Sequence, residues 1–281
     1  MPQPHTLATG LMFGESPRWH DGRLWAVDFG AREVLAIDTD GSTEVITRIT
    51  DMPMGTGFAP DGRLLVVSVR QGQLLAADPG APLASVADLA SLSTYPWGDM
   101  VVDGRGNAYV GNLGFDFPGG EFAPGILALV TPQGTVRQVA DAVSFPNGMV
   151  VTPDNNTLIV AETYGHRLTA FDIAPDGGLD GRRTWADLPG AFPDGICLDA
   201  EGAIWYADVP GKRCVRVREG GQVLQTIELD RGCFACTLGG PDRQTLFIMA
   251  AEYPPAAGMA AGERTGQVIT VQAPAPGVGW P

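Results

Sequence analysis

The chain has 281 residues, of which 44% are hydrophobic, and it carries a formal charge of −14 at pH 7. With 18 Lys and Arg residues against 32 Asp and Glu residues, it lacks the basic stripe that binds a phosphate backbone, so no nucleic-acid partner is expected. The 38 glycines and 23 prolines require many tight turns and leave little room for long helices. We therefore expect almost no helix.

The N-terminal segment, residues 1–5, has neither the basic nor the apolar part of a secretion signal. No uncharged apolar run approaches the roughly 18 residues of a membrane span, so we expect a cytoplasmic protein without membrane association. Four cysteines are few for a disulfide scaffold. Cys233 and Cys236 have the C-x-x-C spacing of redox and zinc sites, but no second pair or nearby histidine completes such a site. Buried, reduced thiols are expected.

Six similar segments follow one another along the chain. Each has a turn of the Asp-Gly type or an equivalent, followed by an alternating strand, at Asp21, Asp61, Gly104, Asp154, Glu201 and Asp242. Asp-Gly between apolar runs predicts a tight hairpin, because both residues tolerate positive backbone φ angles. A period of about 40–50 residues is typical of propellers rather than of the shorter helical solenoids.

A third strand follows in every segment, as in residues 34–38, and a more variable fourth strand closes most of them, as in residues 222–225. The pattern predicts an all-β fold, a six-bladed β-propeller with four antiparallel strands per blade, as a single domain over residues 1–281. The last segment runs out of chain before a fourth strand, so we expect residues 6–12 to pair with the last strand and close the ring. A propeller of this size can be monomeric, and a monomer is favoured.

Polar residues recur at two places in these segments. The start of the first strand carries Glu15, Asp99, Asn147 and Asp194, and the end of the second strand carries Asp28, Ser68, Asn112, Glu162 and Asp208. Because the two strands run antiparallel, both sets are expected at one end of the central channel. For the strand-end carboxylates two interpretations stay open, a free position at the mouth and hydrogen bonds to neighbouring backbone. The long connection of residues 113–125 lies at the same end and is a candidate lid or substrate wall.

Glu15, Asn147 and Asp194 supply two carboxylates and one amide oxygen, which are donors that hard divalent cations take. One divalent ion is expected, Ca²⁺ above all, with Mg²⁺, Mn²⁺ or Zn²⁺ as alternatives, although zinc prefers His or Cys ligands. The opposing interpretation is that Asn147-Gly148 and Asp194-Gly195 only form turns. A Glu before Ser-Pro has no role in a turn, so Glu15 favours the metal site.

The same residues indicate the class of chemistry. The three histidines lie outside the strand starts, which argues against Ser-His-Asp or Cys-His catalysis. Metal-assisted hydrolysis is the favoured alternative, in which an ion polarises a carbonyl or phosphoryl oxygen and a carboxylate handles the proton.

Four motifs together resemble the SMP-30/gluconolactonase/LRE (regucalcin-like) family: Gly14-Glu15-Ser16-Pro17-Arg18-Trp19, Phe145-Pro146-Asn147-Gly148, Ala161-Glu162-Thr163-Tyr164-Gly165 and Pro193-Asp194-Gly195-Ile196-Cys197-Leu198-Asp199. The resemblance covers nearly the whole chain. It implies a six-bladed propeller with one catalytic divalent metal ion in the central channel, commonly hydrolysing sugar lactones or related small esters. It also implies that Glu15, Asn147 and Asp194 are the metal ligands and that Asp194 is the general base.

One segment departs from the family pattern. Where the family often carries Arg-x-Asn-Asp at the start of blade three, this chain has Pro96-Trp97-Gly98-Asp99, so the Arg and Asn that bind substrate or support the metal are missing. We expect a more apolar pocket, walled by Trp97 and by Phe115 or Phe117. The remaining candidates for substrate contacts are Asp99, Asn112, Glu162 and Asp208.

The expected function is a metal-dependent hydrolase that opens a lactone or related small ester. A calcium-dependent phosphotriesterase, as in the related fluorophosphatases, is the alternative within enzymes. A propeller that binds a ligand or protein without catalysis is the alternative from another class.

Overall fold

The computed structural model describes residues 3–253 and 263–279. Within these ranges the chain forms six four-stranded antiparallel sheets and a single turn of 3₁₀ helix at Thr163–Gly165. This confirms the predicted six-bladed propeller and the near absence of helix. No helical segment of these ranges has the length and hydrophobicity to cross a bilayer.

The strands follow the ring in chain order. Strand β1 (His5–Leu11) comes first, and blade 1 then holds β2 (Gly14–His20), β3 (Arg23–Asp28), β4 (Glu33–Ile37) and β5 (Thr43–Arg48). Blade 2 holds β6 (Pro53–Phe58), β7 (Leu64–Ser68), β8 (Gln73–Ala77) and β9 (Ala84–Asp88). Blade 3 holds β10 (Trp97–Val102), β11 (Ala108–Asn112), β12 (Gly125–Val130) and β13 (Val136–Val143).

The second half of the ring repeats this order. Blade 4 holds β14 (Pro146–Val151), β15 (Thr157–Glu162), β16 (Arg167–Ile173) and β17 (Leu179–Asp187). Blade 5 holds β18 (Pro193–Leu198), β19 (Ile204–Asp208), β20 (Arg213–Val217) and β21 (Val223–Glu228). Blade 6 starts with β22 (Gly232–Gly239), β23 (Thr245–Ala251) and β24 (Gly266–Gln272), and β1 completes it by pairing with β24. The predicted closure is therefore confirmed.

Hydrophobic clusters between neighbouring blades hold the ring together. Each of the six interfaces has its own cluster of buried side chains, drawn from both blades. Both faces of a blade are covered in this arrangement, so an inner strand such as β7 is buried at every position. This explains why such strands read as continuous apolar runs rather than as alternating ones.

The four cysteines lie in or beside the interface between blades 5 and 6. All are buried and free of disulfides, with the Cys197 and Cys236 sulfurs 3.8 Å apart. Burial raises the pKa of the Cys197 and Cys214 thiols well above the ordinary range, which keeps them protonated. The expectation of buried, reduced thiols is confirmed.

Local turn chemistry follows the sequence at the first hairpin. Asp21 and Gly22 connect β2 to β3 with φ angles of 48° and 76°. A two-residue hairpin with both central φ angles positive matches the twist of the strands, and Asp-Gly is a preferred pair for it. The predicted turn is therefore present at this position.

Candidate metal centre

A β-bulge near the start of the innermost strand re-aims side chains in every blade. In blades 1, 4 and 5 the strand starts with the pairs Gly14↔Asp28, Pro146↔Glu162 and Pro193↔Asp208, and the register shifts within the next few residues. A bulge inserts one extra residue and bends the strand, and bulges are frequent next to functional sites. The residues that directly follow these first pairs are the three predicted ligands, Glu15, Asn147 and Asp194. They therefore occupy equivalent positions around the ring.

The Asn-Gly and Asp-Gly dipeptides at this level are not turns. Gly148 and Gly195 lie inside β14 and β18, and neither has a positive φ angle. A Cβ atom on Gly195 would come within 2.5 Å of the Ala235 Cβ, and one on Gly148 within 2.5 Å of the Ile196 nitrogen. These glycines allow adjacent innermost strands to approach closely, so the turn interpretation is wrong for both.

Three carboxylates from different blades influence one another at this end of the channel. Glu15 and Asp99 are each 8% exposed, whereas Asp194 retains more contact with solvent. Burial, followed by the negative charge of Asp99, raises the pKa of Glu15 to about 8. Burial, followed by the charges of Glu15 and Asp99, raises the pKa of Asp194 well above its ordinary value, and a hydrogen bond from Asn147 offsets part of this. Carboxyl groups are therefore concentrated here, and without a cation Glu15 and Asp194 keep their protons to higher pH than usual.

Asp99 is held by contacts that reach across three blades. Its Oδ1 accepts hydrogen bonds from Ser16 Oγ at 2.8 Å, Arg18 Nη2 at 3.3 Å and its neighbour's backbone N at 2.8 Å. Ser16 Oγ in turn accepts from the backbone N of Thr56 at 2.8 Å. All the contacts of Asp99 are made by Oδ1, and no group of the described residues donates to Oδ2. This leaves one oxygen of Asp99 available in the channel.

A threonine connects two of the predicted ligands. Asn147 Nδ2 donates to Thr163 Oγ1 at 3.3 Å, and Thr163 Oγ1 donates to the Pro193 carbonyl oxygen at 2.8 Å. Pro193 precedes Asp194, so Thr163 ties the ligand position of blade 4 to that of blade 5. Neither Ser16 nor Thr163 was identified from the sequence as a site residue. Each directly follows a predicted site residue, but nothing in a local pattern shows that its hydroxyl reaches another blade.

The donor set fits a hard divalent cation. Two carboxylates and an amide offer oxygen ligands of the kind that Ca²⁺ takes, and a cation would offset the burial and the repulsion that raise both carboxyl pKa values. Among the residues that the structure describes, no three His, Cys, Asp or Glu side chains converge at metal-binding distance. The predicted set contains only two such residues, because its third member is an asparagine. Asp99 therefore lies near the pair without joining it as a third carboxylate ligand.

The polar residues at the ends of the second strands act as clamps. Glu162 is fully buried and accepts hydrogen bonds from five donors. These are Ser144 N (2.7 Å), Arg167 Nε and Nη2 (3.0 Å each), Thr169 Oγ1 (2.5 Å) and Arg182 Nη2 (3.1 Å). Asp208 accepts from Arg213 Nε at 2.9 Å and from two backbone N–H groups. Asn112 donates to the carbonyl oxygens of Tyr95 and Pro96. For the strand-end carboxylates the alternative of bonds to neighbouring backbone holds, with arginine side chains added at Glu162 and Asp208. Asp28 likewise accepts from the backbone N of Met12 and Phe13.

Trp97 does not line the channel. Its side chain is 1% exposed and packs in the cluster between blades 2 and 3, and its Nε1 donates to the Ser93 carbonyl oxygen at 3.2 Å. Trp97 is the last paired residue before the bulge of β10, and its side chain faces the neighbouring blade. The bulge changes the direction of side chains only from the next residue onward. The expectation that Trp97 walls the pocket is therefore not met by its position.

The far end of the channel is partly covered by the C-terminal segment. Residues 273–279 run beneath blades 6 and 5, where Val278 N donates to Leu198 O at 3.0 Å. A cavity at this end is lined by Arg18 and by residues of the innermost strands, and it lies away from the predicted ligands. Arg18 bonds to Asp99 and to the Met100 carbonyl oxygen, which separates this cavity from the carboxylates. The strand starts that carry the carboxylates lie toward the opposite end of the channel.

Comparison with known proteins agrees with this architecture. The family described as "SMP-30/Gluconolactonase/LRE-like region" matches residues 13–252. Among curated relatives, the pentonolactonase XacC of Haloferax volcanii is 27% identical over 253 residues, covering 86% of this chain and 83% of that protein. Regucalcin of Xenopus laevis is 28% identical over 251 residues, covering 85% and 83%.

Solved structures show the same fold. A gluconolactonase from Xanthomonas campestris superposes with a TM-score of 0.78 at 24% identity, covering 97% of this chain and 90% of that one. A calcium-binding regucalcin from Agrobacterium tumefaciens superposes with a TM-score of 0.79 at 22% identity, covering 95% and 94%. The fold, the motifs and the match over most of the sequence together show that this chain belongs to the SMP-30/gluconolactonase/LRE-like family.

Proposed function

We propose that this protein is a metal-dependent hydrolase that opens a lactone or a related small ester at the mouth of the propeller. The observation that carries the proposal is that Glu15, Asn147 and Asp194 occupy equivalent positions at the starts of three innermost strands, directly after the first strand pair. The two carboxyl groups of this set have raised pKa values. The related pentonolactonase and gluconolactonase support a lactone as the substrate. The related regucalcin described as calcium-binding supports Ca²⁺ as the ion.

The proposed roles follow from the positions of the side chains. Glu15, Asn147 and Asp194 would hold the ion, which when bound polarises the substrate carbonyl and stabilises negative charge on its oxygen. Asp194 accepts a proton from the water that attacks the carbonyl carbon, because it is the ligand carboxylate with more contact with solvent. The ring C–O bond then breaks, and the proton passes to the departing oxygen, which becomes the hydroxyl of a hydroxy acid. Thr163 positions Asn147 through its hydrogen bond.

A metal-reconstitution series tests this proposal. The protein is treated with a chelator, reloaded with Ca²⁺, Mg²⁺, Mn²⁺ or Zn²⁺, and assayed by pH-stat on a lactone panel and an organophosphate panel. We expect lactone hydrolysis to disappear on chelation and to return with a divalent ion. The Asp194→Asn variant is expected to lose at least about a hundredfold in kcat and to bind calcium more weakly by calorimetry.

Asp180→Asn is the matched control, because Asp180 is exposed on the outermost strand of blade 4. It is expected to behave as the unmodified protein. Full activity in chelator, or a full rate in a metal-loaded Asp194→Asn variant, would contradict the mechanism. A protein that binds the ion but hydrolyses neither panel would be a propeller without catalysis.

A further inference from the structure

Aromatic residues surround the mouth that leads to the carboxylates. Phe13, Phe145 and Phe192 each stand two positions before one of the predicted ligands, Glu15, Asn147 and Asp194. They lie in the segments that lead into β2, β14 and β18, at the end of the channel where the bulges occur. A layer of aromatic rings therefore adjoins the layer of oxygen ligands.

The largest group of these rings is the aromatic wall, which we define as Phe115, Phe117, Phe122, Phe145 and Tyr164. Phe145 and Tyr164 have ring centroids 4.7 Å apart, Phe117 lies 5.1 Å from Phe145, and Phe122 lies 5.4 Å from Tyr164. Three of the rings come from the long connection between β11 and β12, which sequence reasoning identified as a candidate lid or wall. The connection therefore contributes apolar surface to the mouth.

The aromatic wall is close in the chain to the candidate metal centre. Tyr164 follows Thr163, whose Oγ1 accepts the hydrogen bond from Asn147 Nδ2. Phe122 is 47% exposed and Tyr164 is 39% exposed, so one edge of the aromatic wall is open to solvent. Exposed apolar groups that adjoin one another mark binding surfaces more often than isolated ones.

A second aromatic group lies at the mouth on blades 6 and 1. Phe13 is 5.2 Å from Phe29 and 5.5 Å from Phe234, measured between ring centroids. Phe234 lies within the bulge of β22, against the strand that carries Asp194. The ion ligands therefore have aromatic neighbours on both sides of the channel.

Three of the four polar residues that could contact a sugar are already engaged, and only Asp99 keeps an oxygen without a donor among the described residues. Asn112, Glu162 and Asp208 lie at this same end, but their polar atoms bind neighbouring backbone and arginine side chains. A polyhydroxylated lactone buries several hydroxyl groups, and each one left without a partner weakens binding. Aromatic surface instead favours an apolar substituent.

We infer that the substrate of this site is a lactone or ester that carries an aryl or alkyl group, and that this group packs on the aromatic wall. The inference rests on the proposed function, since it names the substrate class for the same site. It makes Phe122 and Tyr164 specificity-determining residues, because they form the open edge of the aromatic wall and Tyr164 directly follows the threonine that bonds to Asn147.

The test compares dihydrocoumarin, an aryl lactone, with glucono-δ-lactone and γ-butyrolactone in the metal-loaded protein. We expect kcat/KM for dihydrocoumarin to exceed that for glucono-δ-lactone at least tenfold. We compare the two substrates by dividing kcat/KM for dihydrocoumarin by kcat/KM for γ-butyrolactone. Phe122→Ser should lower this ratio about tenfold, mainly through a higher KM for dihydrocoumarin. Because Phe122 is exposed, this variant is expected to fold. Val223→Ser is the matched control, since Val223 is an exposed apolar residue on the outermost strand of blade 5.

A binding measurement separates this inference from the proposed function. The lactam analogue of dihydrocoumarin is not hydrolysed as a lactone is, and its binding is followed by calorimetry with the unmodified, Phe122→Ser and Val223→Ser proteins. Weaker binding to Phe122→Ser alone supports the inference, even if no lactone is hydrolysed and the proposed function fails. Three outcomes would overturn the inference: a higher kcat/KM for the sugar lactone, an equal loss of kcat/KM on all lactones in Phe122→Ser, or no binding of the lactam. The first two of these outcomes would leave the proposed hydrolase intact.

Discussion

Replacing Glu162 by Gln tests whether this residue stabilises the fold or takes part in catalysis. The substitution keeps the volume of the side chain, so it leaves no cavity. It removes the negative charge and replaces one carboxylate oxygen by an N–H₂ group, which then faces either the three donors to Oε1 or the two donors to Oε2. Breaking a buried ion pair by removing one partner costs about 3–5 kcal/mol.

We expect a smaller loss of stability in Glu162→Gln, because water can reach the two arginines that lose their carboxylate partner. The Arg167 and Arg182 side chains are each 34% exposed, so we expect the free energy of unfolding to fall by about 2–3 kcal/mol. For a chain of 281 residues this lowers Tm by about 3–5 °C, taking about 2 cal/mol/K of melting entropy per residue. Differential scanning calorimetry and urea unfolding measure the loss.

The same substitution should leave lactone hydrolysis within about threefold of the unmodified rate at temperatures well below melting. Glu44→Gln is the matched control, because Glu44 is a 60% exposed ion-pair partner, and its effect should stay within about 0.5 kcal/mol. A hundredfold loss of kcat with an unchanged Tm would refute the reasoning and restore Glu162 as a site residue.

Three further predictions follow from the described contacts. In chelated protein, stability should fall as pH rises from 4.5 to about 8, because burial raises the pKa of both Glu15 and Asp194 in the folded state. Glu15, with a raised pKa of about 8, contributes at most about 5 kcal/mol of this fall. Melting curves across that range test this: excess Ca²⁺ should flatten the dependence and Glu15→Gln should reduce it, whereas a rise in stability would contradict it. Gly195→Ala should lower the free energy of unfolding by about 1–3 kcal/mol or more, because the new Cβ would meet Ala235 at 2.5 Å. Gly98→Ala is the control, since the nearest atom to its Cβ would be 3.5 Å away. Equal midpoints of urea unfolding for the two variants would refute this prediction. Thiol titration should find less than one reactive cysteine in the native protein and four after unfolding, since all four are buried and free, and fewer than four would reveal a disulfide.

Much of the fold could be predicted because its determinants are local. The Asp21-Gly22 turn specifies a hairpin whatever surrounds it, and six such segments in tandem predict six blades. The pairing of the N-terminal strand with β24 could also be inferred, since the last segment lacks a fourth strand. The equivalence of Glu15, Asn147 and Asp194 was visible because each stands at the start of an innermost strand.

The orientation of individual side chains could not be read from these patterns. A strand alternates its side chains between two faces, and the bulge after Trp97 changes that alternation. For this reason Trp97 packs between blades although a residue two positions later faces the channel. The sequence also did not show that Glu162 accepts a hydrogen bond from Arg182, which lies on the outermost strand of the same blade.

The sequence by itself determined the number and order of the blades, the turns that join their strands and the chain positions of the candidate ligands, because spacing and turn propensity are properties of short segments. Only the tertiary structure decided which polar groups remain available at the mouth. Ser16 reaches Asp99 across 83 positions of the chain, and Thr163 reaches Pro193 in the next blade. Such contacts depend on how neighbouring blades pack, and the packing of one blade on the next is a property of the closed ring rather than of any one segment.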